Sequence, residues 1–367
     1  MSSSISALKS CNVAVIGAGP GGLVAARELR REGHKAVVFE RQAQVGGTWE
    51  YQPSVEADPL ASDPSRTIVH SSLYPSLRTN LPREVMGLGA DGKWRLRSRR
   101  GNDEEVDEIF DAVVVCNGHH TEPRIAEIHG IDAWPGKQMH SHNYRIPEPF
   151  RDQVVILIGN AFSADDISRD IAQVAKEVHV ASRSVESVHR DGTVIFQDGS
   201  GVLADVIMHC TGYEYYFPFL DTNGIVTVDD NRVGPLYKHI FPPALAPGLS
   251  FVGLPWMAPL FAVFELQSQW IAGVLSGRIG LPSHEEMMKD VEAFYLSLEA
   301  YGTPMPEMVF GCFEYIDWVA AACGLPRLEE WRKNVSCSFR QQLQPETYRD
   351  EWEDEDLVME AQKDFLK

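Results

Sequence analysis

Near the start of the chain, Gly17-Ala18-Gly19-Pro20-Gly21-Gly22 has the residue types and spacing needed to hold a pyrophosphate. Glycine lacks Cβ, so Gly17 permits a tight turn and Gly19 lets backbone approach the phosphates. Gly22 lets a helix pack closely on a strand. A helix starting here offers free N–H groups and a partial positive charge to an anion. Glu40, followed by Arg41, stands where a carboxylate accepts from ribose hydroxyls. A second glycine pair lies in Gln44-Val45-Gly46-Gly47-Thr48-Trp49. It can bring backbone against the same dinucleotide, and behind Glu40 it favours a flavin one. The alternative is a glycine turn with no ligand, and the strand before and helix after argue against it.

A weaker copy follows at Gly159-Asn160-Ala161-Phe162-Ser163-Ala164, which keeps only the first of three glycines. The strand beyond it runs into Ser182-Arg183 with no acid. A carboxylate there would repel a 2′-phosphate, whereas a guanidinium attracts one. This favours NADPH over NADH; an ordinary surface arginine is the alternative.

The elements that must position these residues are legible around them. Val13-Ala14-Val15-Ile16 reads as a buried parallel strand, 23–31 as a helix ending near Gly33, and Ala36-Val37-Val38-Phe39 as the next strand. The pattern repeats with a strand at 154–158, a helix at 163–176 and a strand at 178–181. Two apolar runs, 112–116 and 206–210, end in Asn117-Gly118 and Thr211-Gly212, where a crossover back to the first sheet is expected. Residues 251–253 look like a last short strand and 261–276 like a helix. From Pro282 onward the pattern is mostly helical, ending in an acid-rich tail that reads as a solvated face. The expected fold class is α/β, with two Rossmann-like dinucleotide-binding domains. A FAD domain (1–148 and 206–282) carries an inserted, shortened NADPH domain (149–205), and 283–367 form a helical extension.

The bulk numbers limit the partners. The chain has 367 residues, 44% hydrophobic and 23% charged, and a formal net charge of −19. The negative balance disfavours nucleic acid and anionic membrane surfaces. The six cysteines form no C-x-x-C pair, which argues against a dithiol redox centre and a zinc knuckle. With no membrane span or signal peptide visible, the expectation is a cytoplasmic protein. A homodimer is left open.

Further segments give a family resemblance. Trp134-Pro135-Gly136-Lys137-Gln138-Met139-His140-Ser141-His142-Asn143-Tyr144 matches the F-x-G-x-x-x-H-x-x-x-Y pattern of flavin-containing monooxygenases at Gly136, His140 and Tyr144, with Trp134 for phenylalanine. Leu77-Arg78-Thr79-Asn80-Leu81-Pro82-Arg83-Glu84 and His209-Cys210-Thr211-Gly212-Tyr213 also resemble that family, most closely its plant glucosinolate S-oxygenase branch. The resemblance runs from about Val13 to about Pro282. It implies FAD on Gly17 to Gly22, Glu40, Arg41, Gly46, Gly47, Thr48 and Trp49 and near Gln267. It implies NADPH on Gly159 to Ala164, Ser182 and Arg183, and it puts Asn80 beside the flavin ring and NADP. The implied reaction inserts one oxygen atom of O2 into a soft nucleophile through a flavin C4a-hydroperoxide. The small-molecule substrate would be a thioether such as a methylthioalkyl glucosinolate, or an amine. The His140 and Tyr144 pattern is implied to be structural.

The sequence also departs from the family. Several dozen residues that members carry between Gly87 and Lys93 are missing, and a shorter stretch is missing after Arg183. The NADPH domain is thereby expected to keep little more than one β-α-β unit and a hairpin. A catalytically impaired FAD-binding protein is the non-enzyme alternative.

Overall fold

The computed structural model describes residues 8–63, 71–73, 92–99, 105–182, 184–255, 259–300, 312–331 and 333. In chain order the elements begin with β1 (Asn12–Ile16), α1 (Pro20–Arg31), β2 (Lys35–Phe39), β3 (Gly92–Arg99) and β4 (Glu105–Val115). There follow β5 (Glu122–Pro123), β6 (Lys137–His140), β7 (Val154–Ile158), α2 (Phe162–Ile171) and β8 (Glu177–Ala181). Next come β9 (Val185–Val188), β10 (Thr193–Phe196), β11 (Gly201–Leu203), β12 (Val206–His209) and β13 (Tyr213–Glu214). The chain continues with β14 (Thr227–Asp229), β15 (Arg232–Gly234), β16 (Leu249–Phe251), α3 (Leu260–Ser276), α4 (His284–Ala300) and α5 (Cys312–Cys323). They fall into two compact units. One is built from Met1–Gly47, Arg78–Gly118 and Phe217–Lys367, the other from Thr48–Leu77 and His119–Tyr216.

In the first unit, β16, β4, β1 and β2 lie side by side in that order and parallel. β3 pairs antiparallel with β4, Gly92 opposite Ala112 and Arg99 opposite Glu105. Val13, Ala14 and Val15 have no exposed surface, as expected of a parallel strand covered on both faces. Leu29 of α1 and Trp270 and Ile271 of α3 share one core with Val13, Val15 and Val114. α3 is apolar around most of its circumference because α1 and α5 both pack on it, and it stops at Gly277, whose φ of +80° is the left-handed helix end that glycine suits best.

In the second unit, β6, β12, β7 and β8 form a fully parallel four-stranded sheet in that order. Alternate residues of β7 feed two cores. Val155 and Leu157 face α2 through Ala164, Ile167 and Ile171. Val154, Ile156 and Ile158 face Val188 and Val194, which belong to an antiparallel sheet of β9, β10 and β11.

This corrects two expectations. The run at 206–210 does not cross back to the first sheet; β12 is a central strand of the second, between β6 and β7. The second unit is also larger than 149–205, because it takes β6 from before that span and β12 from after it. The hairpin expected after Arg183 is one part of a three-stranded sheet that packs against the second face. The helix expected at 163–176 ends at Ile171. The run 87–91, where the first missing stretch was expected, lies outside the described residues.

Candidate functional site: two glycine turns and a clamp

The carboxyl ends of β1, β2, β4 and β16 lie along one edge of the first sheet, and the first glycine turn begins there. Gly17 has φ +103°, and a Cβ on it would lie 2.6 Å from the Cys116 carbonyl oxygen at the end of β4. A Cβ on Gly22 would lie 1.8 Å from the Gly17 oxygen. Both positions therefore accept only glycine. Gly21 is buried, Pro20 occupies the first turn of α1, and no side chain caps that helix. Its first turn carries no acid. The N–H groups that a helix leaves unpaired at its start are thus free of side-chain competition here.

The other half of the cradle comes from β2 and the loop that leaves it. Glu40 accepts the Ala18 amide at 2.6 Å on one carboxylate oxygen and the Gln42 amide at 2.8 Å on the other. Each oxygen retains a second lone pair for a ribose hydroxyl. Arg41 is exposed beside it. The Gly46 amide donates to the Ala18 carbonyl at 2.9 Å, and a Cβ on Gly47 would come within 2.9 Å of Gly19 Cα. The two glycine segments therefore meet backbone to backbone, which leaves bare peptide on the open side of Gly19. This surface fits a dinucleotide pyrophosphate.

Gln267 sits deeper than the turn. It is fully buried in α3; its Oε1 accepts the Gly253 amide at 2.9 Å and its Nε2 donates to the Tyr315 hydroxyl at 2.7 Å. Both ends of its carboxamide are committed inside the unit, so it reaches the cradle only through Gly253.

The second unit repeats the first device. Gly159 has φ +121°, and a Cβ on it would lie 2.3 Å from the Cys210 carbonyl oxygen, as Gly17 does with Cys116. Asn160 and Ala161 are exposed, Phe162 and Ser163 half-buried, and Ala164 fully buried. A methyl is accommodated at Ala164, in the place of the third glycine, and it packs into the core with Ile167 and Val155. No side chain caps α2. The Asp165 carboxylate in its first turn is held by Arg169 at 2.7 Å, which tempers its repulsion of an anion. Ser182 is exposed past β8; Arg183 lies outside the described residues, as do Asn80 and the whole segment 77–84.

The Trp134 to Tyr144 pattern has a packing logic. The indole lies over Gly136, where a Cβ would come within 2.2 Å of the ring, and Trp134 Nε1 donates to the Gly192 carbonyl at 3.1 Å. His140 is fully buried, with Nδ1 accepting the His142 amide at 3.0 Å and Nε2 on the Gly212 carbonyl at 3.0 Å. Burial, helped by neighbouring His142 and His209, pushes His140 down to about 3, so it is neutral with the proton on Nε2. Neither nitrogen remains for a substrate. Tyr144 donates to Asp170 of α2 at 2.5 Å.

The residues between and after these anchors fasten the segment that follows the second glycine pair. His142 Nε2 meets Glu56 Oε1 at 2.9 Å, both buried. Asn143 accepts the Glu56 amide and donates to the carbonyls of Asp58 and Pro59. Arg145 makes five hydrogen bonds, all to backbone carbonyls: Gln52 (2.9 Å), Ser54 (3.1 Å), Ser71 (2.5 Å), His142 (2.9 Å) and Tyr144 (2.7 Å). Ser71 Oγ in turn donates to the Thr48 carbonyl at 2.7 Å, next to the 44% exposed Trp49. The sequence reading missed Glu56, Asn143 and Arg145. The available signal was an arginine directly after the Tyr144 position.

Comparison with known proteins agrees with this geometry. A profile of NAD(P)-binding Rossmann-like domains matches residues 15–78, and one of flavin-binding monooxygenase-like proteins matches 83–191 and 184–324. Flavin-containing monooxygenase FMO GS-OX-like 4 of Arabidopsis thaliana is 52% identical over 100% of this chain and 99% of its own. The chain belongs to the flavin-containing monooxygenases. Its cofactors are FAD and NADPH, and it is an oxidoreductase. The FMO GS-OX5 of the same plant is 50% identical, with 98% of this chain and 95% of that protein covered. The solved structure of S-allyl-L-cysteine S-oxygenase from Allium sativum superposes with a TM-score of 0.93 at 50% identity, covering 98% of this chain and 99% of that one. The GS-OX-like 4 alignment spans 448 positions against 367 residues here, so that monooxygenase carries stretches without a counterpart in this chain. Among the described residues, no helix is long and apolar enough to cross a membrane.

Proposed function

We propose that this monooxygenase S-oxygenates thioethers, using NADPH and O2, with methylthioalkyl glucosinolates among its substrates. The observation that carries the reading is the 50% identity and 0.93 TM-score with an enzyme named for S-oxygenation of S-allyl-L-cysteine, itself a thioether. The GS-OX names of the Arabidopsis relatives support the glucosinolate class.

When bound, the two cofactors supply hydride transfer and oxygen activation, so that thioether, O2, NADPH and a proton become sulfoxide, water and NADP+. The chain's own part is to bind and orient. The start of α1 and the glycines at 17, 19, 46 and 47 receive the FAD pyrophosphate, and Glu40 accepts from its ribose. The start of α2 receives the NADPH phosphates, and Arg183 takes the 2′-phosphate. Asn80 would offer uncharged donors to the flavin and NADP. A thioether sulfur is already a nucleophile, so no acid–base residue is required to activate it.

Incubating the purified protein with NADPH in air, separately with S-allyl-L-cysteine, a methylthioalkyl glucosinolate and a tertiary amine, tests this. Sulfoxide formation from the thioethers is the expected result. Oxygenation of the amine alone would overturn the thioether reading, and bound flavin that NADPH does not bleach would point to an impaired FAD-binding protein instead.

A further inference from the structure

A line of hydrogen bonds runs from the edge of the first sheet to α5, a helix for which the sequence suggested no role. Gly253, at φ +84° just beyond β16, donates its amide to Gln267 Oε1. Gln267 Nε2 donates to the Tyr315 hydroxyl, and that hydroxyl donates to the Lys238 carbonyl at 3.0 Å. A hydroxyl has one proton. Because Tyr315 spends it on Lys238, it can only accept from Gln267, and this fixes which way round the carboxamide sits. The reversed carboxamide would turn its NH2 against the Gly253 N–H.

The far end of the line is rigid. Lys238 and His239 are successive non-glycine residues with φ of +50° and +60°, a conformation that persists only where the surroundings over-determine it. Lys238 Nζ is held by Asp290 at 2.5 Å and lies 4.9 Å from the centre of the Trp318 ring. The His239 ring packs on Phe294 and Tyr315. The near end touches the cradle: a Cβ on Gly21 would lie 3.8 Å from Val252 Cγ1, and one on Gly253 would strike Phe264 at 2.5 Å.

We propose that Tyr315 is a positioning residue for the flavin: its hydroxyl orients the Gln267 carboxamide, which fixes the Val252-Gly253 turn against the Gly17 to Gly22 turn. The inference rests on the placement of FAD at that turn. Tyr315→Phe removes one oxygen and keeps the ring. It should raise the FAD dissociation constant about tenfold, the equivalent of one buried hydrogen bond. It should also speed amide exchange across residues 250–255 in the FAD-loaded protein and leave NADPH affinity unchanged. Val319→Ala, on the same helix and 1% exposed, should lower thermal stability without moving either flavin readout. Gln267→Met keeps the volume without the carboxamide and should loosen FAD to the same degree, with no further loss when combined with Tyr315→Phe. If Tyr315→Phe merely behaves like Val319→Ala, or if Gln267→Met binds FAD as the wild type does, the proposal is overturned. Gly19→Val tests the placement separately: unchanged FAD affinity there would remove the turn as the flavin site, and the proposal with it.

Discussion

Replacing Arg145 by alanine would remove five hydrogen bonds at once. Three of the five carbonyls, those of Ser71, His142 and Tyr144, belong to buried residues, whereas Gln52 is half-buried and Ser54 exposed. The exposed carbonyls recover water. The three buried ones cost ~1–3 kcal/mol each when left unpaired, which sets a floor of about 3 kcal/mol. The cost of burying the guanidinium in the wild type offsets part of any larger sum, so about 3–5 kcal/mol is expected. Lysine keeps the charge but offers three donors from one nitrogen, and cannot reach carbonyls on both sides of a planar fork. Arg145→Lys should therefore recover no more than about half the loss. Urea unfolding followed by tryptophan fluorescence measures the global effect, and amide exchange across 48–59 the local one. A loss under ~1 kcal/mol for Arg145→Ala would refute the clamp. So would full recovery by lysine, since it would show that a point charge suffices.

Three more outcomes are expected. Gly22→Ala puts a methyl 1.8 Å from the Gly17 oxygen, so α1 must shift; FAD content after purification should fall at least tenfold by visible absorbance, at ~1.4 kcal/mol per decade. Arg183→Ala should weaken NADPH far more than NADH in steady-state titrations, and equal loss for both would remove it as the 2′-phosphate reader. His140 has a folded pKa near 3, below its ordinary 6.5, so the unfolded chain binds the extra proton between those values. Its contribution to stability is therefore intact above pH 6.5 and is lost as pH falls toward 3. His140→Gln should flatten the pH dependence of unfolding free energy between pH 4 and 6 by about 1.4 kcal/mol per pH unit.

The glycine turns were legible because the chemistry of close approach leaves one residue type. Nothing but glycine fits against the Cys116 and Cys210 carbonyls, and such constraints survive in a single sequence. The strands were legible as apolar runs, and the run at 112–116 joins the first sheet as expected, but the sheet that the run at 206–210 joins was not legible. β12 is four residues long and buried on both faces, which suits either parallel sheet; only its pairing with β6 and β7 decides. The clamp was hidden for a different reason. Arg145 bonds to carbonyls up to 93 positions away, and a backbone acceptor leaves no mark on residue type. An arginine before Ile146-Pro147 reads as loop surface until its partners are seen. Gln267 shows the reverse: it was associated with FAD by resemblance, and its carboxamide is spent on Gly253 and Tyr315.

The way the two units share the chain has a consequence for biosynthesis. The first unit needs three separated stretches, the last beginning at Phe217, whereas the second is complete by Tyr216. A polypeptide emerging from the ribosome amino end first therefore delivers every strand of the second sheet before β16 exists. β4 waits, its Val113–Val115 end still without the β16 neighbour, while the inserted unit closes. Any slowing of translation between Tyr216 and Leu249 prolongs the interval in which the β4 edge stands open to other nascent chains, an aggregation hazard that falls on the first sheet and spares the second.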